Sequence, residues 1–260
     1  MKKAVTKGYV FLILLFLYAP IFVLIAFSFN ESKSRANFTG FTFHWYEELF
    51  KDNLIMTSLG NTLLIAVLAS VFATILGTAA ALGIKNMKKR ARGVCMNITY
   101  MPVINPEIVM GISMMLLFVF ICQMFDWELG MVTVLIAHIT FCVPYVILNV
   151  LPKLRQMDQN TYEAALDLGC TPFSAFFKVV IPEILPGILS GFLMAFTFSL
   201  DDFIITHFTK GAGINTLSTL IYSEVRRGIR PSMYALSTVI FVVVLVVLLI
   251  ANFRKQPEKD

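Results

Sequence analysis

Charge is scarce in this sequence: Asp, Glu, Lys and Arg make up 14% of its 260 residues, against 58% hydrophobic ones. A soluble domain carries about a quarter charged residues. One core of this size could not hide so much Phe, Leu, Ile and Val. Other absences narrow the chemistry. The four cysteines (Cys95, Cys122, Cys142, Cys170) show no C-x-x-C spacing and no histidine partner pattern, which excludes a disulfide framework and a zinc site. No G-x-x-x-x-G-K-[ST] phosphate loop occurs, so ATP hydrolysis by that route is excluded. Neither an H-E-x-x-H pair nor a G-x-x-x-S nucleophile with a usable histidine stands in a context fit for intramembrane catalysis. The chain reads as a non-enzyme. Its net charge of +5 does not point to nucleic acid, because the basic residues sit in short segments between apolar runs.

What is present is length in those runs. Spans are expected at about 8–29, 61–84, 98–121, 130–151, 185–207 and 234–253, each near the ~20 residues that cross a bilayer. In lipid each must satisfy its own backbone hydrogen bonds, so all are helices. The expected class is an all-α integral membrane protein with six transmembrane helices in one domain, 1–260. The first run is too long for a signal-peptide core and lacks a small-x-small cleavage site, so it reads as a retained span. The third opens on Pro102 and Pro106, and the fifth carries two aspartates.

Orientation follows from Lys and Arg in the connecting segments. With the N-terminus cytoplasmic, 14 fall inside, including Lys88, Lys89, Arg90 and Arg92, and 7 fall outside: Lys33, Arg35, Lys51, Lys210, Arg226, Arg227 and Arg230. Lys255 and Lys259 are among the 14. Both termini are therefore expected in the cytoplasm. Between the first two spans, residues 41–50 have apolar residues at helical spacing and predict a short amphipathic helix at the outer interface.

The segment 152–186 is long and patterned. Tyr162 to Leu168 is good helix sequence, and Gly169 supplies a C-terminal cap. Thr171 offers an N-cap and Pro172 an N1 residue for a second helix, which Pro182 and Pro186 are expected to end. Helix, glycine corner, helix makes a knob suited to a groove on another protein. The spacing Glu163-Ala164-Ala165-x3-Gly169-x9-Val179-x-Ile181-Pro182 resembles the EAA loop of bacterial ATP-binding-cassette importer permeases, E-A-A-x3-G-x9-I-x-L-P, with Val179 and Ile181 as conservative departures. The resemblance implies the type I importer permease fold and a cytoplasmic coupling helix seated on an ATPase. Glu163, Ala164, Ala165, Gly169 and Pro182 would be the coupling residues. The implied partners are a dimer of ATPase subunits, a second similar permease, an extracytoplasmic substrate-binding protein and membrane lipid, with no nucleic acid. ATP and magnesium would belong to the ATPase; no cofactor and no metal are expected in this chain. The implied location is the bacterial cytoplasmic (inner) membrane.

Acids inside spans are costly, about 2.5–3.5 kcal/mol each at a helix centre on insertion scales. Glu107 in the third span and Asp201-Asp202 in the fifth therefore stand out. Glu107 is expected near mid-membrane, either lining a pathway or held as a buried carboxyl. Adjacent aspartates point about 100° apart on a helix. One is expected to line a pathway while the other caps a helix or meets a neighbour such as His207; the other reading is a pair marking a helix end. Phe192, Phe196, Phe198 and Phe203 add ring faces for a cation. Carboxylates with aromatics suit amines separated by methylenes. Pro102-Val103-Ile104-Asn105-Pro106-Glu107, Phe196 to Asp202, Ile221-Tyr222-Ser223 and Ala235 to Thr238 are similar to the second permease subunit of spermidine/putrescine importers, where the position of Glu107 is often Asp. That resemblance implies polyamine-handling roles for Trp45, Glu107, Ser199, Asp201 and Asp202. Iron, thiamine or another cationic solute is the alternative cargo, and a membrane enzyme or scaffold the alternative class. His138 and His44 read as structural; Arg226, Arg227 and Arg230 read either as a solvated loop or as a contact for an acidic binding protein.

Overall fold

The computed structural model of the chain describes residues 2–32 and 37–254. Lys33, Arg35, Lys255 and Lys259, counted above for orientation, lie outside the described residues. Among the described residues all regular elements are helical, with one isolated antiparallel bridge between Asn30 and Phe41. Among the described residues, five helices are long and apolar enough to cross a membrane. The contacts divide the chain into two units, residues 57–220 and the flanking segments 1–56 and 221–260.

In the flanking unit, α1 (Lys2–Ser28) packs on α12 (Pro231–Arg254), and α12 also packs on α2 (His44–Lys51). The amphipathic helix expected over 41–50 is α2. Trp45 and Leu49, one turn apart, are buried, while His44, Glu47, Glu48 and Lys51 face outward. Phe29, Phe41, Phe43 and Tyr46 form a ring cluster beside it, with Phe29 stacked on Phe41 at 5.0 Å. The Tyr46 hydroxyl meets Ser28 Oγ at 2.7 Å.

The central unit is built around α6 (Met131–Gln156), which contributes Ala137, Phe141, Cys142, Val146, Val150 and Leu154 to the core. Against it lies α9 (Ile181–Asp201). Val146 fits between Gly77 and Gly191; a Cβ on Gly77 would lie 2.6 Å from Val146 Cβ, and one on Gly191 3.2 Å from its Cα. Gly77 is on α3 (Asn53–Asn86), so small residues let neighbouring helices approach closely, as is usual in lipid.

The span expected over 61–84 runs longer, as α3, and two others are cut differently. The span over 98–121 is broken: α4 (Lys89–Ile104) stops, Asn105 and Pro106 are extended (ψ 142 and 134), and α5 (Glu107–Phe125) begins. Pro106 forbids its predecessor the helical region, which is why the helix ends there rather than merely bending. The span over 185–207 starts earlier and stops at Asp201. Pro182 and Pro186 do not end the preceding helix: α8 (Pro172–Ala175) runs through a π-helical turn, Phe176–Val180, straight into α9. The π turn reroutes the ladder, with the Ile181 N–H bonding the Phe176 carbonyl, so the chain enters Pro182 without losing helix. After Asp201, residue 202 is extended and a short helix, α10 (Ile204–Thr209), follows.

Candidate functional site

The corner around Glu163 folds as the sequence predicts. Asp158 accepts from the Asn160 N–H at 2.9 Å and caps α7 (Gln159–Asp167). At the other end, the Cys170 N–H bonds the Ala165 carbonyl at 3.0 Å and the Gly169 N–H bonds the Leu166 carbonyl at 2.9 Å. These are the two bonds of a Schellman cap, and they need the left-handed residue that Gly169 supplies at φ +85. The spacing from Ala165 to Gly169 is therefore set by one helix end. Thr171 Oγ1 then accepts from the Ser174 N–H at 3.2 Å, with Pro172 opening α8. Glu163 and Tyr162 line a cavity of about 360 Å³ with Lys85, Asn86, Leu154 and Phe176. Leu168 and Phe173 at the corner are 87% and 75% exposed, an apolar tip that this chain leaves uncovered. Ala164 is exposed and Ala165 beside it is half-buried; both are small enough for a neighbour to approach.

Asp202 is the centre of a second construction. Its carboxylate accepts the Ile205 N–H at 3.2 Å, the Thr206 N–H at 2.7 Å and the Thr206 hydroxyl at 2.9 Å, so it closes the open start of α10. His138 on α6 stands behind it. Nε2 is 2.9 Å from Thr206 Oγ1 and 3.4 Å from Asp202 Oδ2, and Nδ1 is 2.7 Å from Ser199 Oγ. Since the Thr206 hydroxyl donates to Asp202, it accepts from an Nε2–H; in the neutral ring, Nδ1 then accepts the Ser199 hydroxyl. One imidazole ties α6 to both sides of the α9–α10 break. Of the roles expected for the second aspartate, Asp202 takes the helix cap, and the histidine beside it is His138 rather than His207. His207 is exposed and stacks on Phe203 at 5.2 Å instead.

Glu107 occupies the first turn of α5, not a position deep within a continuous helix. One contact fixes its level. One turn on, Gly111 lies against α10, where an added Cβ would be 2.9 Å from the Phe208 ring and 3.4 Å from Ile204. Elsewhere in the central unit, Tyr145 on α6 meets Phe198 at 4.4 Å between ring centres, one turn before Asp202 on α9. Glu107 and Asp201, each beside a helix break, are exposed, and the Tyr145 and Phe198 rings are half-buried.

The remaining candidates are placed differently. Ser199 is 3% exposed, its hydroxyl spent on His138. Trp45 belongs to the flanking unit, is 5% exposed, and gives its indole N–H to the Asn30 carbonyl at 2.6 Å. Arg230 is internally paired: Nε and Nη2 fork onto Glu224 at 2.8 and 3.2 Å, and Nη1 reaches Asp52 at 3.3 Å. Arg226 and Arg227 remain exposed. Among the described residues the four cysteines are free and no group of His, Cys, Asp and Glu could hold a metal.

Residues 73–254 match the family described as binding-protein-dependent transport system inner membrane component. The chain is 41% identical over 254 residues to the putrescine transport system permease protein PotI of Escherichia coli strain K12, covering 94% of this chain and 90% of that protein. It is 33% identical over 242 residues to the spermidine/putrescine transport system permease protein PotC of the same strain, covering 93% and 90%. Among solved structures it resembles a bacterial ABC transporter involved in import of the acidic polysaccharide alginate, with a TM-score of 0.75 at 19% identity over 97% of this chain and 93% of that one. The fold is that of an importer permease.

Proposed function

We propose that this chain, which belongs to the binding-protein-dependent transport system inner membrane component family, is a permease subunit of an ATP-driven importer that carries polyamines, with putrescine the first cargo to test. The observation that carries the reading is the packing of α5 on α10, the helices that restart after the two breaks, with exposed Glu107 opening α5 and exposed Asp201 closing α9 just before α10, in a chain 41% identical to a putrescine permease. Unwound backbone inside a membrane is tolerated where it lines a cavity, and such breaks commonly mark the transport site. Two carboxylates flanked by rings suit two ammonium ends joined by methylenes.

In this reading α1, α3, α5, α6, α9 and α12 are the six crossings of one permease domain, with both termini cytoplasmic. For α12, the described apolar stretch is Pro231–Val246. The corner of α7 and α8 is the coupling element: Leu168 and Phe173 give the apolar tip, Glu163 the charge, and Gly169 and Pro182 the shape. It docks on an ATPase subunit that supplies the nucleotide chemistry. A second permease completes the pathway, and an extracytoplasmic binding protein delivers the cargo. ATP favours one of two global states by binding it more tightly, and rigid coupling helices carry that preference to the pathway. Asp202 and Ser199 serve the pathway from behind, through His138; Trp45 serves by anchoring α2. The test is uptake of radiolabelled putrescine and spermidine by cells expressing the full importer and lacking their own. Entry that needs both this chain and the ATPase supports the reading; no entry of either amine, with another cationic solute taken up instead, replaces the cargo.

A further inference from the structure

We infer that His138 is a positioning residue that removes Asp202 from the cargo site and holds Asp201 in it. This rests on the importer reading above. Of the three acids at the helix breaks, Asp202 has its side chain 3% exposed and accepts three hydrogen bonds, with the His138 ring against it. Three of that carboxylate's four lone-pair directions are taken and the side chain is buried, which closes it to an ammonium ion in the pathway. Asp201 is the adjacent residue, is exposed, and among the described residues forms no ion pair or side-chain hydrogen bond. At a helix end two successive carboxylates compete for the capping role. Which one caps decides which one faces the pathway.

His138 makes that choice. It fastens Ser199, three residues before Asp202 on α9, and Thr206, four residues after it on α10, to the same imidazole. With both flanks held, the extended residue between them is fixed at ψ 129, and its carboxylate falls on the α10 N–H groups. The preceding residue is the last of α9 and points elsewhere. A leucine at 138 fills similar space but fastens neither flank, and Asp201 can then rotate into the cap. The pathway is left with Glu107 and Asp201 only while the histidine bridge holds, and a site with two open carboxylates matches a cargo with two ammonium groups.

The experiment uses the assembled importer. His138→Leu and Thr206→Val each raise the KM for putrescine uptake about tenfold with the maximal rate nearly kept, and the double variant is no worse than either single, because both cut the same bridge. His138→Gln, whose amide donor reaches Thr206, recovers most of the affinity. A separate readout needs no cargo: a water-soluble carbodiimide with a small amine labels the exposed Asp201 carboxylate, read by fragment mass spectrometry of its peptide, and His138→Leu slows that labelling about tenfold. A wild-type KM in His138→Leu, effects that multiply in the double variant, a loss of assembled complex with unchanged KM, or unchanged labelling would each overturn the assignment. If the wild-type importer takes up no putrescine, the cargo reading fails, and the labelling rate alone decides the role of His138.

Discussion

His138 Nε2 lies 3.4 Å from Asp202 Oδ2, with the two side chains 2% and 3% exposed. A histidine in the fourth span and an acid at the end of the fifth meet in the interior of one unit, with Thr206 and Ser199 completing their hydrogen bonds. Buried polar groups stabilise a fold only when every donor and acceptor is matched, and removing one member leaves the others unsatisfied. The predictions below start from that contrast between a satisfied acid and an open one.

Asp202→Asn and Asp201→Asn are expected to fail differently. The first replaces a carboxylate oxygen that accepts from Thr206, and it lowers thermal stability of the purified complex by about 1–3 kcal/mol. The second removes an exposed charge and changes stability by less than about 0.5 kcal/mol, while uptake falls at least tenfold. Thermal melts beside uptake assays separate the two. Equal melting of both variants with equal uptake would contradict the division.

Gly169→Val forces a β-branched residue to φ +85, a region such residues avoid. The Schellman bonds from Cys170 and Gly169 would loosen, at a local cost of about 1–2 kcal/mol. Co-purification of the ATPase should drop several-fold while membrane insertion of the chain is unchanged. Gly169→Asn, which tolerates the left-handed region better, should retain more of it.

Gly111→Val should separate α5 from α10. Its Cβ would stand 2.9 Å from the Phe208 ring, and a branched side chain adds to that overlap, costing about 1–3 kcal/mol. Phe208→Ala in the same chain should restore part of the melting temperature. Absence of any recovery would mean that the clash is met elsewhere.

Arg230 gives a pH prediction. The fork onto Glu224 holds its guanidinium above the ordinary arginine value, with Asp52 adding to the effect. A cation whose pKa is raised on folding contributes stability that is complete below the unfolded value and lost only as pH rises through the folded one. That window lies far above neutrality, so the Arg230 contribution should be flat across physiological pH. Arg230→Ala, discounted for a side chain 41% exposed, should cost about 1 kcal/mol. Arg230→Lys should recover little, since a lysine cannot fork.

Much of the α7–α8 corner was legible because local chemistry dictates it: Gly169 has a left-handed role, and Thr171 before Pro172 starts a helix. The amphipathic α2 was legible from its spacing. The break at Asn105-Pro106 was half legible; two prolines announced a distortion, and only the restriction on the residue before Pro106 turns a bend into a stop. Continuity through Pro182 was not legible, because a π turn leaves no mark in composition. His138 was missed for a different reason. Its partners lie 61, 64 and 68 residues away, so no local pattern links them. One signal did exist: Asp202 followed by Thr206 is a cap-like spacing, and an isolated histidine in an apolar span needs polar neighbours.

The most direct measurement is ATP-dependent uptake of radiolabelled putrescine into proteoliposomes holding this chain with its second permease and ATPase, the binding protein supplied outside. Wild-type vesicles should accumulate putrescine only with ATP, and Glu107→Gln with Asp201→Asn should abolish accumulation while the ATPase remains bound. Undiminished uptake in that double variant, or no putrescine uptake by the complete wild-type importer, would contradict a polyamine pathway built on these two carboxylates.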